Sequence, residues 1–350
     1  MPVSPLRVVA ATPPAPELTD LVKLVDPDIE VVVDHDLLRP ERFAADDPAE
    51  ERFARTAEQQ AAYEDLMSTA DVLYGIPDQD PAMLARVVRA GPRLRWLHTM
   101  AAGGGGQIRA AGLTPTEMER VVFTTSAGVH AGPLAEFALF GLLAGAKELP
   151  RLQALQAQRR WAPHFPMGQL REQTILVLGL GGIGAETARL LTALGARVIG
   201  VKRTPSPVPH VESVHGVEAL PELLPQADGV VVTLPGTDYT RGLLGRELIA
   251  AMKPGAVLVN VGRGTVVDED ALVDALRSGH VRSAYLDVTA VEPLPADSPL
   301  WTLPQVVISP HTAAEDAREP IRTAELFADN LRRFTTGTAM RNVVDPVHFY

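Results

Sequence analysis

Between Thr174 and Ala185 the chain reads Thr-Ile-Leu-Val-Leu-Gly-Leu-Gly-Gly-Ile-Gly-Ala. An apolar strand pattern runs into Gly179, Gly181 and Gly184 at G-x-G-x-x-G spacing, enclosing Gly182 and Ile183, and a helical pattern follows. The three spaced glycines have physical tasks: a tight turn, close approach of backbone to a pyrophosphate, and close packing of helix on strand. The start of the helix adds free N–H groups and the positive end of its dipole. Strand, turn, helix and second strand together read as a dinucleotide cradle. In an NAD site the adenosine ribose is read by a carboxylate about 20 residues further on, at the end of the second strand. Here the strand Arg197–Val201 runs instead into Lys202, Arg203 and Thr204. Two cations and a hydroxyl suit a 2′-phosphate, so NADP is the preferred cofactor with NAD possible. The alternative is that both cations are plain surface charges.

Three further segments follow in order: Asn260-Val261-Gly262-Arg263-Gly264, then Leu286-Asp287-Val288 with Glu292-Pro293-Leu294-Pro295, then Ser309-Pro310-His311-Thr312. Arg263, Glu292 and His311 fall at or just after the C-terminal ends of predicted strands, the rim where open α/β sheets bind ligands. Each alone has an ordinary explanation: a loop cation, a turn residue before a proline, one of nine histidines. Ordered behind a dinucleotide turn, they form a candidate catalytic set. With no cysteine in the chain, disulfides, Cys-ligated metals and thiol nucleophiles are excluded, and no metal site is expected.

These residues need a scaffold, and the hydrophobic pattern predicts one. Over the first 125 residues, strands are expected at Arg7–Ala11, Ile29–Val33, Val72–Gly75, Leu94–Thr99 and Val121–Thr124, with helices at Thr56–Thr69 and Pro81–Ala90. The polar, acidic stretch Asp46–Arg55 reads as a solvated connection. Gly132–Glu148 reads as a long buried helix, and Pro150–Gln173 has no strand signal. A second alternation predicts six strands: Thr174–Leu178, Arg197–Val201, Gly229–Leu234, Ala256–Asn260, Arg282–Val288 and Val306–Ser309. Helices are expected at Ala185–Leu194 and Glu269–Ser278, the latter entered at Asp268 and stopped at Gly279. The tail Ala317–Phe334 is helical again. The fold class is α/β, with two Rossmann-like domains separated by a cleft: a substrate domain of residues 1–127 and 317–350, and a cofactor domain of residues 128–316.

A length of 350 residues fits two domains. The net charge of −11 argues against nucleic acid or an anionic membrane surface as partner. The start, Met-Pro-Val-Ser-Pro-Leu-Arg, lacks a secretion pattern, and the longest apolar run, Phe137–Ala146, is about half a membrane span. A cytoplasmic protein is expected.

At this point the chain resembles the D-2-hydroxyacid dehydrogenase family along nearly its whole length. The matching segments are Gly179–Gly184, Leu234-Pro235 with Thr240-Arg241-Gly242-Leu243, Met252-Lys253-Pro254-Gly255, Asn260–Gly264, Glu292–Pro295 and Pro310-His311. The run Leu286-Asp287-Val288-Thr289 with Glu292-Pro293-Leu294-Pro295 is most similar to the glyoxylate/hydroxypyruvate reductase branch. Formate dehydrogenases carry Gln where this chain has Glu292, so the resemblance points away from formate. It implies NAD(P)H-dependent reduction of a small 2-oxo acid to a D-2-hydroxy acid. Arg263 would hold the substrate carboxylate and polarise the carbonyl, His311 would donate the proton, and Glu292 would orient the imidazole. Leu234, Pro235, Thr240, Val261, Gly262 and Asp287 would line the cofactor, Asp287 at the carboxamide and Thr240 on the phosphate side. The long helix Gly132–Glu148 resembles the family's dimer helix, so a homodimer is expected; a monomer's core helix would look the same.

In the first half, Trp96-Leu97-His98-Thr99-Met100 leads into Ala101-Ala102-Gly103-Gly104-Gly105-Gly106. The resemblance implies that backbone N–H groups of Ala102, Gly103 and Gly104 meet the substrate carboxylate, as an anion nest. The four glycines depart from the family's single Gly, and the other reading is a flexible surface loop. Tyr285 stands where the family has a small residue; it reads as a buried strand aromatic, or else as filling a helix contact. Trp301 reads as packing, and His98 and His130 as structural. Two rival functions stay open: a dinucleotide-sensing binding protein like the corepressors on this fold, or a dehydrogenase of a phosphorylated hydroxy acid or of phosphite.

Overall fold

Short β-branched runs separated by amphipathic helices form two parallel sheets in this computed structural model, which describes residues 5–40, 54–347 and 349. Most of the acidic stretch read as a connection, residues 46–53, lies outside the described residues. The chain divides into one unit of Met1–Val129 with Asp316–Tyr350 and a second of His130–Glu315.

The first unit runs β1 (Arg7–Ala10), α1 (Leu18–Val25), β2 (Glu30–Val32), α2 (Ala57–Ser68), β3 (Val72–Tyr74), α3 (Pro81–Ala90), β4 (Trp96–Thr99), α4 (Gly105–Ala110), α5 (Pro115–Arg120) and β5 (Val122–Thr125). Its strands lie in the order β2-β1-β3-β4-β5, all parallel. Local chemistry sets the helix starts. Thr56 and Gln59 close a capping box at α2, and Asp80 accepts from Ala82 and Met83 ahead of Pro81 at α3.

The second unit runs α6 (Ala131–Ala146), α7 (Leu149–Ala157), β6 (Thr174–Leu178), α8 (Gly182–Ala193), β7 (Arg197–Val201), β8 (Ser213–His215), α9 (Leu220–Leu223), β9 (Gly229–Val232), α10 (Arg246–Ala251), β10 (Ala256–Asn260), α11 (Glu269–Arg277), β11 (Val281–Leu286) and β12 (Val306–Ile308). The chain then returns to the first unit as α12 (Glu319–Thr336), whose Phe327 stacks on Trp96 at 4.7 Å between ring centres. The second sheet has seven strands, β12-β11-β10-β9-β6-β7-β8, rather than the six expected. The extra strand, β8, is three half-buried residues at the sheet edge, too short and too polar to make an apolar run. Helix α8 begins three residues earlier than expected, directly on the glycine turn.

Helix α6, apolar but for the exposed Glu136, lies hard against the sheet. A Cβ on Gly141 would come within 2.9 Å of the Tyr285 and Val259 side chains, and one on Gly145 within 2.4 Å of Val257. Tyr285 is fully buried there with its ring edge-on to Phe140, so it is both a strand aromatic and the filler of a helix contact. Among the described residues, no helix is long and apolar enough to cross a membrane.

Candidate active site

The order of the second sheet reverses between β6 and β9, which puts a switch point at the C-terminal end of β6. The glycine turn occupies that position. Gly179 has φ +96°, and a Cβ on Gly184 would lie 1.9 Å from the Gly179 carbonyl oxygen, so α8 starts in backbone contact with the turn. The Thr233 hydroxyl, just beyond β9, donates to the Gly179 carbonyl at 2.9 Å and fixes its direction. A Cβ on Gly181 would meet nothing within 4 Å, so the space before the first N–H groups of α8 is open. Glycine backbone, an uncapped helix start and that open space fit a dinucleotide pyrophosphate. Strand β7 lies beside β6, and Lys202, Arg203 and Thr204 follow its end; the Lys202 ammonium donates to Ser206 Oγ at 3.1 Å.

Three neighbouring turns stack backbone on backbone along the rim. A Cβ on Gly262 would sit 2.5 Å from the Leu234 carbonyl oxygen, and one on Gly264 1.9 Å from the Thr289 carbonyl carbon. Leu234 and Pro235, Val261 to Arg263, and the turn carrying Glu292 are thereby brought together. Asn260 holds the middle turn. This buried side chain accepts from Gly262 N–H at 3.0 Å and donates to the Arg263 carbonyl at 3.1 Å. Sequence reasoning did not single out Asn260; the signal was a lone amide closing an apolar strand. The Arg263 guanidinium is exposed and donates to the Gly262 carbonyl at 2.7 Å. Thr240 accepts from Thr237 N–H at 2.9 Å and donates to the Pro235 carbonyl at 2.6 Å, so its hydroxyl shapes the Leu234–Thr240 turn.

Glu292 and His311 meet. Glu292 Oε2 lies 2.7 Å from His311 Nδ1, while Oε1 accepts the Thr289 N–H at 3.0 Å. Both carboxylate oxygens are thus committed, and the imidazole has Nε2 left for chemistry. His311 adopts φ +55°, an uncommon conformation for a residue with a side chain. It is pinned there by its N–H, which lies 2.9 Å from the Asp287 carbonyl and 2.8 Å from that of Ser309. Asp287, itself buried, accepts the N–H groups of Thr312 at 3.0 Å and Ala313 at 2.9 Å on one carboxylate oxygen. The exposed Trp301 indole donates to the Pro295 carbonyl at 2.9 Å and staples the turn after Glu292 through that hydrogen bond rather than by burial. Together these groups can bind an anion and exchange a proton with it.

In the first unit the glycine run is less open than its composition suggests. Ala102 and Gly103 are exposed in a turn, but a Cβ on Gly104 would lie 2.1 Å from Thr99 Oγ1 and one on Gly105 2.0 Å from the Phe349 carbonyl oxygen. Gly105 and Gly106 already belong to α4, so half of the run is helix rather than flexible loop. The strand before it is tied by a buried network. Trp96 Nε1–H donates to Thr124 Oγ1 at 2.9 Å, and the Ser126 hydroxyl donates to the Thr99 carbonyl at 2.9 Å. With its proton so placed, Ser126 accepts from His98 Nε2–H at 3.1 Å, and His98 Nδ1 accepts from the Thr124 hydroxyl at 2.8 Å. Burial pushes His98 down to about 3, so it is a neutral, structural histidine. His130 sits at the entry to α6.

Residues 139–313 match the family described as D-isomer specific 2-hydroxyacid dehydrogenase, NAD binding domain. A glyoxylate reductase of Aeropyrum pernix is 34% identical over 299 residues, 81% of this chain and 86% of that protein. A D-3-phosphoglycerate dehydrogenase of Mycobacterium bovis is 34% identical over 282 residues, 78% of this chain; the chain spans about half, 52%, of that relative. A solved structure, a D-isomer specific 2-hydroxyacid dehydrogenase from Xanthobacter autotrophicus Py2 in complex with NADPH and MES, aligns with a TM-score of 0.76 and 31% identity. The alignment covers 99% of this chain and 100% of that one. Glycine cradle, paired Glu292 and His311 and these likenesses converge: the chain belongs to the D-isomer specific 2-hydroxyacid dehydrogenase family of NAD(P)-dependent oxidoreductases.

Proposed function

We propose that the protein reduces a small 2-oxo acid, of glyoxylate or hydroxypyruvate size, to the D-2-hydroxy acid, with NADPH preferred over NADH. The observation that carries this reading is the 2.7 Å contact of Glu292 with His311 Nδ1, which leaves Nε2 to serve the substrate oxygen. Arg263 binds the substrate carboxylate and polarises its carbonyl with a planar, permanently charged fork. His311 hands a proton from Nε2 to the carbonyl oxygen, and in the reverse direction takes it back. Glu292 keeps the ring oriented through its contact with Nδ1. In the first unit, the backbone N–H groups of Ala102 and Gly103, in the turn closed by Gly104, are proposed as an anion nest.

Gly179, Gly181, Gly182, Ile183 and Gly184 would hold the pyrophosphate, with Leu234, Pro235, Thr240, Val261, Gly262 and Asp287 along the rest of the cofactor. When bound, the reduced nicotinamide supplies the hydride. Lys202, Arg203 and Thr204, with no carboxylate at the end of β7, favour a 2′-phosphate, and the similar Xanthobacter structure contains NADPH. A homodimer is proposed through the apolar surface of α6 and α7, where Leu139, half-exposed Phe140, Leu143 and Leu152 line one groove.

The test is loss of nicotinamide absorbance with glyoxylate, hydroxypyruvate, larger 2-oxo acids and a phosphorylated 2-oxo acid, each with NADPH and NADH. Turnover of the small acids, faster with NADPH, is expected. Turnover of the phosphorylated acid alone would favour the reading suggested by the phosphoglycerate dehydrogenase likeness. Cofactor binding without any turnover would favour a dinucleotide sensor.

A further inference from the structure

A third carboxylate, from a different element, holds the turn that carries Glu292. Glu269 is the first residue of α11, whose capping is already provided by Asp268, which accepts the Ala271 N–H at 3.0 Å. Glu269 is therefore not needed as the cap. Its Oε1 instead accepts the N–H of Ala290, in the turn that runs from Thr289 to Glu292. The same turn is held from inside by Glu292 Oε1 on the Thr289 N–H at 3.0 Å and by the Thr289 hydroxyl on the Val291 carbonyl at 2.8 Å. On its other side it rests on Gly264, the residue after Arg263. Glu269 is thus the outside anchor of the loop that aims Glu292 at His311.

We propose that Glu269 is a positioning residue for the proton-transfer pair. It fixes the Glu292 turn through Ala290. This inference rests on the reading of Glu292 and His311 as that pair. The charges around Glu269 come from three elements. Asp268 and Asp270 belong to its own helix, and Glu292 faces it from the turn after β11. Arg246, on α10 packed against α11, acts on Asp268 and Asp270 and pairs with Asp274 at 2.8 Å. Burial holds the Glu269 carboxyl above its ordinary value; the Ala290 N–H opposes that, and Asp270 and Glu292 add to it.

Two variants test the anchor. Glu269→Gln keeps an oxygen for the Ala290 N–H and removes the charge; Glu269→Ala removes both. The readouts are kcat and KM for the full chain with NADPH and a 2-oxo acid, together with the NMR resonance of the Ala290 amide without substrate. In Glu269→Gln, kcat is expected within about threefold of wild type, with the Ala290 amide resonance near its wild-type position. In Glu269→Ala a further fall in kcat of about tenfold is expected, with KM for NADPH nearly unchanged. A wild-type kcat in Glu269→Ala would overturn the anchor. Should Glu269→Ala fold poorly, an equal loss of kcat in well-folded Glu269→Gln would overturn the anchor instead. If wild type turns over no 2-oxo acid while Glu269→Ala still moves the Ala290 amide resonance, the reaction assigned to the site is wrong and the anchor stands.

Discussion

Asp287 holds His311 from the backbone side. Its carbonyl receives the His311 N–H at 2.9 Å, and one oxygen of its buried carboxylate receives the next two N–H groups, Thr312 and Ala313. The imidazole is thereby presented by a residue at φ +55°, a conformation that the loop would not keep unaided. Replacing Asp287 by Ala leaves two N–H groups without their acceptor. A loss of about 1–3 kcal/mol in stability is expected, with kcat falling by more than the melting point suggests. Thermal melts beside steady-state rates check this; an unchanged kcat in a folded variant would separate Asp287 from the presentation of His311.

Asn260 does for Arg263 what Asp287 does for His311, through one amide bonded to both sides of the turn. Asn260→Asp keeps the acceptor for Gly262 but turns an oxygen toward the Arg263 carbonyl. A drop of about tenfold in kcat/KM for the 2-oxo acid is expected, with little change in KM for NADPH. Equal losses for acid and cofactor would show general disorder of the rim.

His98 predicts a pH signature in stability. Folded, it is pushed down to about 3 by burial, whereas in the unfolded chain it titrates near its ordinary 6.5. Between those values the unfolded chain binds a proton that the folded one does not. The contribution is complete above about pH 6.5 and is lost as pH falls toward 3, by up to about 1.4 kcal/mol per unit. Urea titrations at pH 7, 6 and 5 should show a shallower acid limb in His98→Gln; an identical limb would contradict the neutral assignment.

Gly141 and Tyr285 are a size-matched pair across helix and sheet. Gly141→Leu drives a side chain into Tyr285 and Val259, and about 1–3 kcal/mol of destabilisation is expected. Adding Tyr285→Ala should give a combined loss smaller than the sum of the two. Additive losses would mean that the two residues do not press on each other.

What could be read from the sequence follows physical lines. The cradle was legible because its glycines are demanded by backbone contacts at fixed spacing, as Gly184 against Gly179 shows. Arg263, Glu292 and His311 were legible as residue types at strand ends, since a parallel sheet brings its C-terminal ends to one rim. Asn260, the loop-holding part of Asp287 and Glu269 were not, because their work is on backbone N–H and C=O groups whose directions exist only after folding. Strand β8 escaped because a half-buried edge strand of three residues leaves almost no apolar signal. The glycine run misled in part, because Gly104 and Gly105 serve close packing against Thr99 and Phe349 rather than looseness.

The most direct measurement compares wild type with His311→Asn in NADPH-dependent reduction of glyoxylate and hydroxypyruvate, with NADPH affinity measured separately by fluorescence. Loss of the proton donor should lower kcat by about 10²–10⁴-fold and leave NADPH binding within about twofold. An asparagine variant that reduces either acid at the wild-type rate would contradict the assignment of His311 as the proton donor.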